Sequence, residues 1–313
     1  MKTIIVTPAG RQRYLKVLYK HLLVQKNDFF EWHLWLNTTN QEDINFCKKL
    51  EKENSWIKTF DLTEGFNGNL SICSFFKNAT DSDTVYIRFD DDVIFLEDDF
   101  IKNFTQERIK NKDPYFIFPI IINNGNMAYH LQKNGKVWFP INISYTEDCL
   151  NELWKDHNLA EKMHNDFILD IKNGYIKKYH IDDIVINNFY RHSINCISWF
   201  GETMKDIVEK NDINVYRDEE FFLSVLHPKN NNNPNMIIGS VVCSHFSFHV
   251  QREHLDRTNI LLEYEKISNN ISTDYIFNKL KQDIVKESKN SIEDSKLSSI
   301  LNTFRSKLNF LEL

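Results

Sequence analysis

Short β-branched runs and helix-spaced apolar positions alternate along the first third of the chain. Lys2–Thr7 (KTIIVT) is a compact apolar run ended by Pro8-Ala9-Gly10, which predicts a buried strand and then a turn. Tyr14, Leu15, Leu18, Leu22 and Leu23 follow at helical spacing. Trp32, Leu34 and Leu36 alternate with Glu31, His33 and Trp35, a strand pattern that stops at Asn37. Ile44, Cys47 and Leu50 predict a second helix, and residues 57–62 a third strand. Residues 70–79 predict a short helix, and residues 84–89 (TVYIRF) a fourth strand. Repeated strand–helix units predict an α/β fold: an open, largely parallel sheet with helices on both faces and right-handed crossovers. In such sheets ligands bind beyond the carboxyl ends of the strands.

The middle third is less regular. Residues 115–122 predict a strand, followed by the polar run Asn123-Asn124-Gly125-Asn126. Residues 140–190 mix helical and loop signals without an order that the pattern resolves. Residues 194–200 and 236–243 predict two further strands, and KNNNNPN at 229–235 an exposed, mobile loop. Beyond about residue 255 the pattern becomes purely helical. Ile276, Phe277, Leu280, Ile284 and Val285 share one helical face, and Leu297, Ile300, Leu301, Phe304, Leu308 and Leu311 another. The expected organisation is one α/β domain over residues 1–255 and a helical extension over 256–313. That extension would form a hairpin on the core or on a second copy of the chain, so a homo-oligomer through these helices is an expectation.

Composition narrows the function classes. The 313 residues have an ordinary charged fraction of 26% and a formal charge of −6. Acids and bases are intermixed, which speaks against a nucleic acid polymer as partner, since that needs a basic face. The five cysteines are widely spaced with no CxxC pair, so neither a disulfide framework nor a thiolate zinc site is expected. The short apolar run at residues 4–6 is unlike a signal peptide, and no apolar stretch reaches membrane-spanning length. A cytoplasmic location without a transmembrane segment is the expectation.

Residues 88–93 (RFDDDV) carry the most chemistry. An apolar strand runs directly into three aspartates and then into four apolar residues. Adjacent carboxylates repel, and their desolvation is costly without a compensating cation or hydrogen bonds. On a strand, Asp90 and Asp92 would point one way and Asp91 the other. Two oxygen donors on one side suit Mg²⁺ or Mn²⁺, which takes one or two carboxylates plus substrate phosphates. The alternative is a solvated acidic turn capping the following helix.

Together with four other segments, this stretch resembles the DxD region of nucleotide-sugar glycosyltransferases with the GT-A fold, closest to the family 2 type. The other segments are Thr7-Pro8-Ala9-Gly10-Arg11, where that fold begins its nucleotide pocket, and Gly68-Asn69-Leu70 with Phe76-Lys77-Asn78-Ala79 ahead of the aspartates. Later come Asp218-Glu219-Glu220, similar to the acidic motif that carries the base, and Ser244-His245-Phe246-Ser247-Phe248-His249, similar to the strand whose histidine can complete a metal site. The match spans roughly residues 1–255. Lys77 stands where arginine is commoner, and Glu dominates the base motif.

The resemblance implies a GT-A Rossmann-like sheet, Mn²⁺ or Mg²⁺ as cofactor, a nucleotide diphosphate sugar as donor and a glycan or other hydroxyl as acceptor. Asp92 would ligate the metal, with Asp90 at metal or ribose and His245 ahead of His249 as third ligand. Thr7, Pro8, Ala9 and Asp91 would line the nucleotide pocket, Arg11 and Lys77 would meet phosphate charge, and Asn37 or Asp61 would face the base. Glu219 or Glu220 would deprotonate the acceptor in a single displacement with inversion. For Asp218–Glu220 the bland alternative is helix N-terminal acidity. Trp199, Phe200 and Gly201 are either an acceptor platform or core. His245 and His249, read as one strand, would share a face. A sugar nucleotidyltransferase is the second reading; the single glycine of TPAGRQR fits its usual Gly-rich loop less well. A non-catalytic nucleotide- or carbohydrate-binding module is the third.

Overall fold

A computed structural model describes residues 1–62, 72–210 and 218–288. The expected first third is present: β1 (Lys2–Ala9), α1 (Gln12–Val24), β2 (Glu31–Leu36), α2 (Gln41–Glu53), β3 (Ile57–Asp61), a 3₁₀ turn at Ile72–Asn78 and β4 (Thr84–Phe89). The Gly68-Asn69-Leu70 segment lies outside the described residues. Then follow β5 (Val93–Leu96), α3 (Phe100–Lys110), β6 (Ile117–Ile122) and α4 (Gly125–Lys133). The stretch that the pattern left unordered contains α5 (Glu152–Lys155), α6 (His157–Lys172) and the two-residue β7 (Ile184–Val185). Next are β8 (Cys196–Phe200), α7 (Gly201–Lys210), α8 (Glu219–Phe221), a π-helical turn at Phe222–Leu226 and α9 (His227–Asn230). The described chain ends with β9 (Met236–His245), α10 (His249–Leu255) and α11 (Ile260–Ser288).

The nine strands of the described residues join one sheet in the order β3-β2-β1-β4-β8-β6-β9-β5, with β7 on β9. The sheet is mostly parallel: β1, β2, β3, β4, β6 and β9 run one way, and β5, β7 and β8 the other. β1 is buried from Thr3 to Ala9 because both faces are covered, as expected for a parallel strand flanked by helices. Alternate residues feed two cores: Ile4 and Val6 pack with Tyr86 and Trp199, while Ile5 packs with Trp32, Val85 and Ile87.

Three residues connect β4 to β5, although the two strands lie four places apart in the sheet. Four spacings amount to about 19 Å in a flat sheet, whereas the chain from Phe89 to Val93 reaches about 14 Å at most. The sheet must therefore curl. Register shifts between Pro119 and Ile120 and between Val93 and Phe95 mark where it does. The bend brings the ends of β5 and β9 back over the end of β4.

Several local expectations are corrected. His245 ends β9 and His249 begins α10, so they do not share a strand face. Asn235 is buried: it accepts from Phe116 N–H at 3.1 Å and donates to Leu223 O at 3.1 Å, which anchors the end of the 229–235 loop. Trp199 is core, donating from Nε1 to Ala79 O at 3.1 Å. Gly201 serves packing, since a Cβ there would lie 2.1 Å from Asp81 O. The first expected helical stretch lies in α11, one long helix along α1 with Ile260, Tyr264, Ile267 and Ile276 buried. The Leu297–Leu311 pattern lies outside the described residues. Among the described residues no helix is long and apolar enough to cross a membrane, and Cys47, Cys149, Cys196 and Cys243 are free and buried.

Candidate functional site

A cleft of about 690 Å³ opens at the carboxyl ends of β1, β4 and β9. Pro8, Gly10 and Arg11 line it from the end of β1, and Asp90, Asp91 and Asp92 from the end of β4. Arg191, Ile194 and Asn195 come from the approach to β8; Asp218, Glu219 and Glu220 come from the start of α8. His245, Ser247, Phe248, His249 and Arg252 complete it from β9 and α10.

The aspartates occupy a turn, not a strand. Val93 N–H donates to Asp90 O at 3.1 Å, Asp90 N–H to Asn195 O at 2.8 Å, and Phe246 N–H to Asp92 O at 2.9 Å. The pleat stops at Phe89, so the alternation that would pair Asp90 with Asp92 lapses. Asp91 and Asp92 are paired instead, through Arg11. Its Nε lies 3.0 and 3.2 Å from the two Asp91 oxygens, its Nη2 closer still, and its Nη1 3.1 Å from Asp92. Gly10 N–H donates to Asp91 at 3.0 Å. The Asp92 oxygen that Arg11 holds also meets Arg252 Nη2 at 3.5 Å, and the other meets His245 Nε2 at 3.4 Å. Asp90 turns away to Arg88 at 2.8 Å and Asn195 Nδ2 at 3.0 Å.

These contacts set the protonation states. Burial would raise the Asp92 pKa, but Arg11, His245 and Arg252 hold it well below the usual carboxylate range. For Asp91 burial wins: its pKa is raised against the pull of Arg11, with Asp92 and Asp90 adding repulsion. His245 Nδ1 faces Asn123 O at 3.3 Å, which leaves Nε2 toward Asp92. Burial would lower the His245 pKa, but the Asp92 carboxylate raises it above the ordinary value.

The opposite wall is the acidic start of α8. Asp218 caps the helix by accepting from Phe221 N–H at 3.0 Å. Arg191 grips Asp218 through both terminal nitrogens at 2.7 and 2.9 Å and Glu220 through Nε at 2.6 Å. The second Glu220 oxygen accepts from Ile194 N–H at 3.2 Å. Burial raises the Glu220 pKa, with Arg191 opposing it. Glu219 meets Arg88 at 2.9 Å. Arg88, buried on β4, thus joins Asp90 on one wall to Glu219 on the other.

Mn²⁺ or Mg²⁺ fits the donor chemistry at one place. Asp92 and His245 converge there, and a hard cation that keeps water and phosphate ligands needs few protein donors. Among the described residues no three His, Cys, Asp or Glu side chains stand together as a ligand cluster. The Arg11 guanidinium lies between Asp91 and Asp92 instead. His249 also lines the cleft, exposed at its rim.

Of the other expected contacts, Pro8 and Asn37 line the cleft, whereas Thr7, Ala9, Lys77 and Asp61 do not. Thr7 is a core residue whose Oγ1 accepts from Trp32 Nε1 at 3.0 Å, and Ala9 is fully buried. Lys77 belongs to the 3₁₀ turn away from the cleft lining. The sequence pattern missed Arg88, Arg191, Asn195 and Arg252. Arg88 had a signal: a cation within an apolar strand, two residues before an acidic cluster. Arg191, Asn195 and Arg252 had none.

No protein-family model and no curated protein sequence matches the chain. Solved structures with a similar outline include CMP:2-keto-3-deoxy-manno-octonic acid synthetase complexed with CTP, at 8% identity and TM-score 0.45, covering 85% of this chain and 100% of that one. Another is 4-diphosphocytidyl-2C-methyl-D-erythritol synthase from Anaerococcus prevotii, at 12% identity and TM-score 0.44, covering 84% and 98%. A third is 2-C-methyl-D-erythritol 4-phosphate cytidylyltransferase from Francisella tularensis, at 12% identity and TM-score 0.40, covering 83% and 100%. With identities and TM-scores this low, the likeness is one of outline only.

Proposed function

We propose that this chain is a transferase acting on a nucleotide-activated sugar, and that the reaction is glycosyl transfer to an acceptor hydroxyl. One observation carries the reading: the aspartate turn and the acidic start of α8 face the same cleft, bridged by Arg88. Asp92 and His245 would hold Mn²⁺ or Mg²⁺, which supplies charge stabilisation for a diphosphate leaving group. Pro8, Gly10 and Asn37 would border the nucleotide. Glu220 has both oxygens committed to Arg191 and Ile194 N–H, which suits a positioning role. Glu219 is then the base that accepts the acceptor's proton, and attack from its wall, opposite the diphosphate, gives inversion.

Nucleotidyl transfer is the second reading. It is favoured by the four arginines, Arg11, Arg88, Arg191 and Arg252, which together line the cleft and would suit a triphosphate. A thermal-shift panel of nucleotide sugars and nucleoside triphosphates with Mn²⁺, followed by product analysis, separates the readings. Glycosyl transfer releases a nucleoside diphosphate; nucleotidyl transfer releases pyrophosphate. Tight binding with no turnover would indicate a binding module. No stabilisation by any nucleotide, with or without metal, would remove all three.

A further inference from the structure

We infer that Arg11 is an exchangeable counter-cation. It neutralises Asp91 and Asp92 while the cleft is empty of ligand, and gives them up to a divalent cation when it moves onto phosphate oxygens. The inference rests on the proposed reading of the cleft as a site for a metal-bound diphosphate.

A divalent cation bound at these carboxylates would lie at short range from the Arg11 guanidinium and repel it strongly. Arg11 already contacts both, so metal binding at the aspartate turn competes with it. The carboxylates do not depend on Arg11 for their position. Gly10 N–H holds Asp91, His245 and Arg252 hold Asp92, and backbone bonds to Asn195 and Phe246 pin the turn.

Arg11, which alone among the described residues bridges Asp91 and Asp92 by ion pairs, is able to move. Its side chain is 32% exposed, against 7% for Asp91 and 3% for Asp92. Its backbone is anchored on both sides, by Gly10 N–H on Asp91 and by Gln12 N–H on Asp43 at 2.8 Å, so only the side chain has to swing. Arg88 is the contrasting case: at 3% exposure, between Asp90 and Glu219, it has no comparable freedom.

The exchange makes cation and phosphate binding cooperative. A cation alone must displace Arg11, and a phosphate alone must pull Arg11 from two carboxylates. Bound together they remove each other's cost, and the coupling is reciprocal.

The test uses Arg11→Gln and Arg11→Lys in the full chain, with two separate titrations: Mn²⁺ alone, read by loss of the free-ion paramagnetic resonance signal, and pyrophosphate without metal, read by calorimetry. Exchange predicts opposite signs in Arg11→Gln. Mn²⁺ should bind on the order of tenfold tighter, equivalent to about 1.4 kcal/mol, and pyrophosphate should bind more weakly by a similar factor. Arg11→Lys, which keeps the charge and loses the two-pronged contact, should fall between. Structural damage would weaken both titrations together. If Mn²⁺ binds both variants no tighter than wild type, the inference fails and the reading of the cleft stands. If Mn²⁺ binds none of the three proteins, the metal site falls and the inference with it.

Discussion

Arg11 and Arg88 together hold four of the six acidic residues that line the cleft, and they do so in different physical settings. Arg11 reaches Asp91 and Asp92 from a part-exposed position at the start of α1. Arg88 reaches Asp90 and Glu219 from inside the sheet. Arg88 is itself buried and has no comparable freedom to move onto a ligand in exchange. The part-exposed Arg11 can move onto a ligand, provided another cation takes its place, because the Asp91 and Asp92 it leaves are buried. The aspartate wall is therefore built to change partners and the Arg88 bridge to stay. Of the three aspartates, Asp91 and Asp92 are the ones open to exchange, and Asp90 belongs to the frame.

The sharpest way to break this contrast is Arg88→Met. It leaves the half-buried Asp90 and Glu219 without their shared cation and should lower unfolding stability by about 3 kcal/mol in urea denaturation. A loss under about 1 kcal/mol would put Arg88 in the same class as Arg11. Next is the comparison of Glu219→Gln with Glu220→Gln. With donor and acceptor established, Glu219→Gln should lower kcat on the order of 10²- to 10⁴-fold while sparing donor binding. Glu220→Gln should instead cost about 1–3 kcal/mol of stability through Arg191 and Ile194. The opposite pattern would exchange their roles.

A smaller effect tests the aspartates. Asp92→Asn should remove the Mn²⁺-dependent rise in Tm, whereas Asp90→Asn should retain most of it; equal losses would mean that Asp90 is also a ligand. The smallest effect is the pH dependence of His245. Its folded pKa is raised, so the stability it shares with Asp92 is fully present below about pH 6.5 and is lost as pH rises through the higher folded value. The Tm advantage of wild type over His245→Gln, measured without metal, should shrink along that rise. Mn²⁺ affinity should move the other way, because a ligating imidazole must be neutral. A Tm difference independent of pH would mean that the His245–Asp92 contact carries no proton-linked stability.

The regularity of β1 to β4 was legible because β1 and β4 are buried on both faces, β2 alternates at its start and the helices between them bury apolar residues at helical spacing, which imprints a period on the residues themselves. Val93–Leu96 reads as an apolar run, but its partner β9 lies more than a hundred residues onward. His245 was found as a cleft residue through its segment, while the strand face it was expected to share with His249 dissolved at the β9–α10 turn. Thr7 and Ala9 belong to a segment that does border the cleft, yet their side chains enter the core. Period alone cannot say where a buried strand gives way to an open end.

By itself the sequence determined the α/β alternation, the placing of three carboxylates at a strand's carboxyl end, and an acidic helix start at Asp218–Glu220. All of these are local properties, decided by side-chain periodicity, turn residues and charges a few positions apart. Only the tertiary structure decided which carboxylate faces which cation. The curl that brings β5 and β9 over β4 sets Arg252 and His245 beside Asp92, and Arg88 between Asp90 and Glu219. Most of those partners are separated by more than a hundred residues, and strand order and sheet curvature, rather than local pattern, determine their distance.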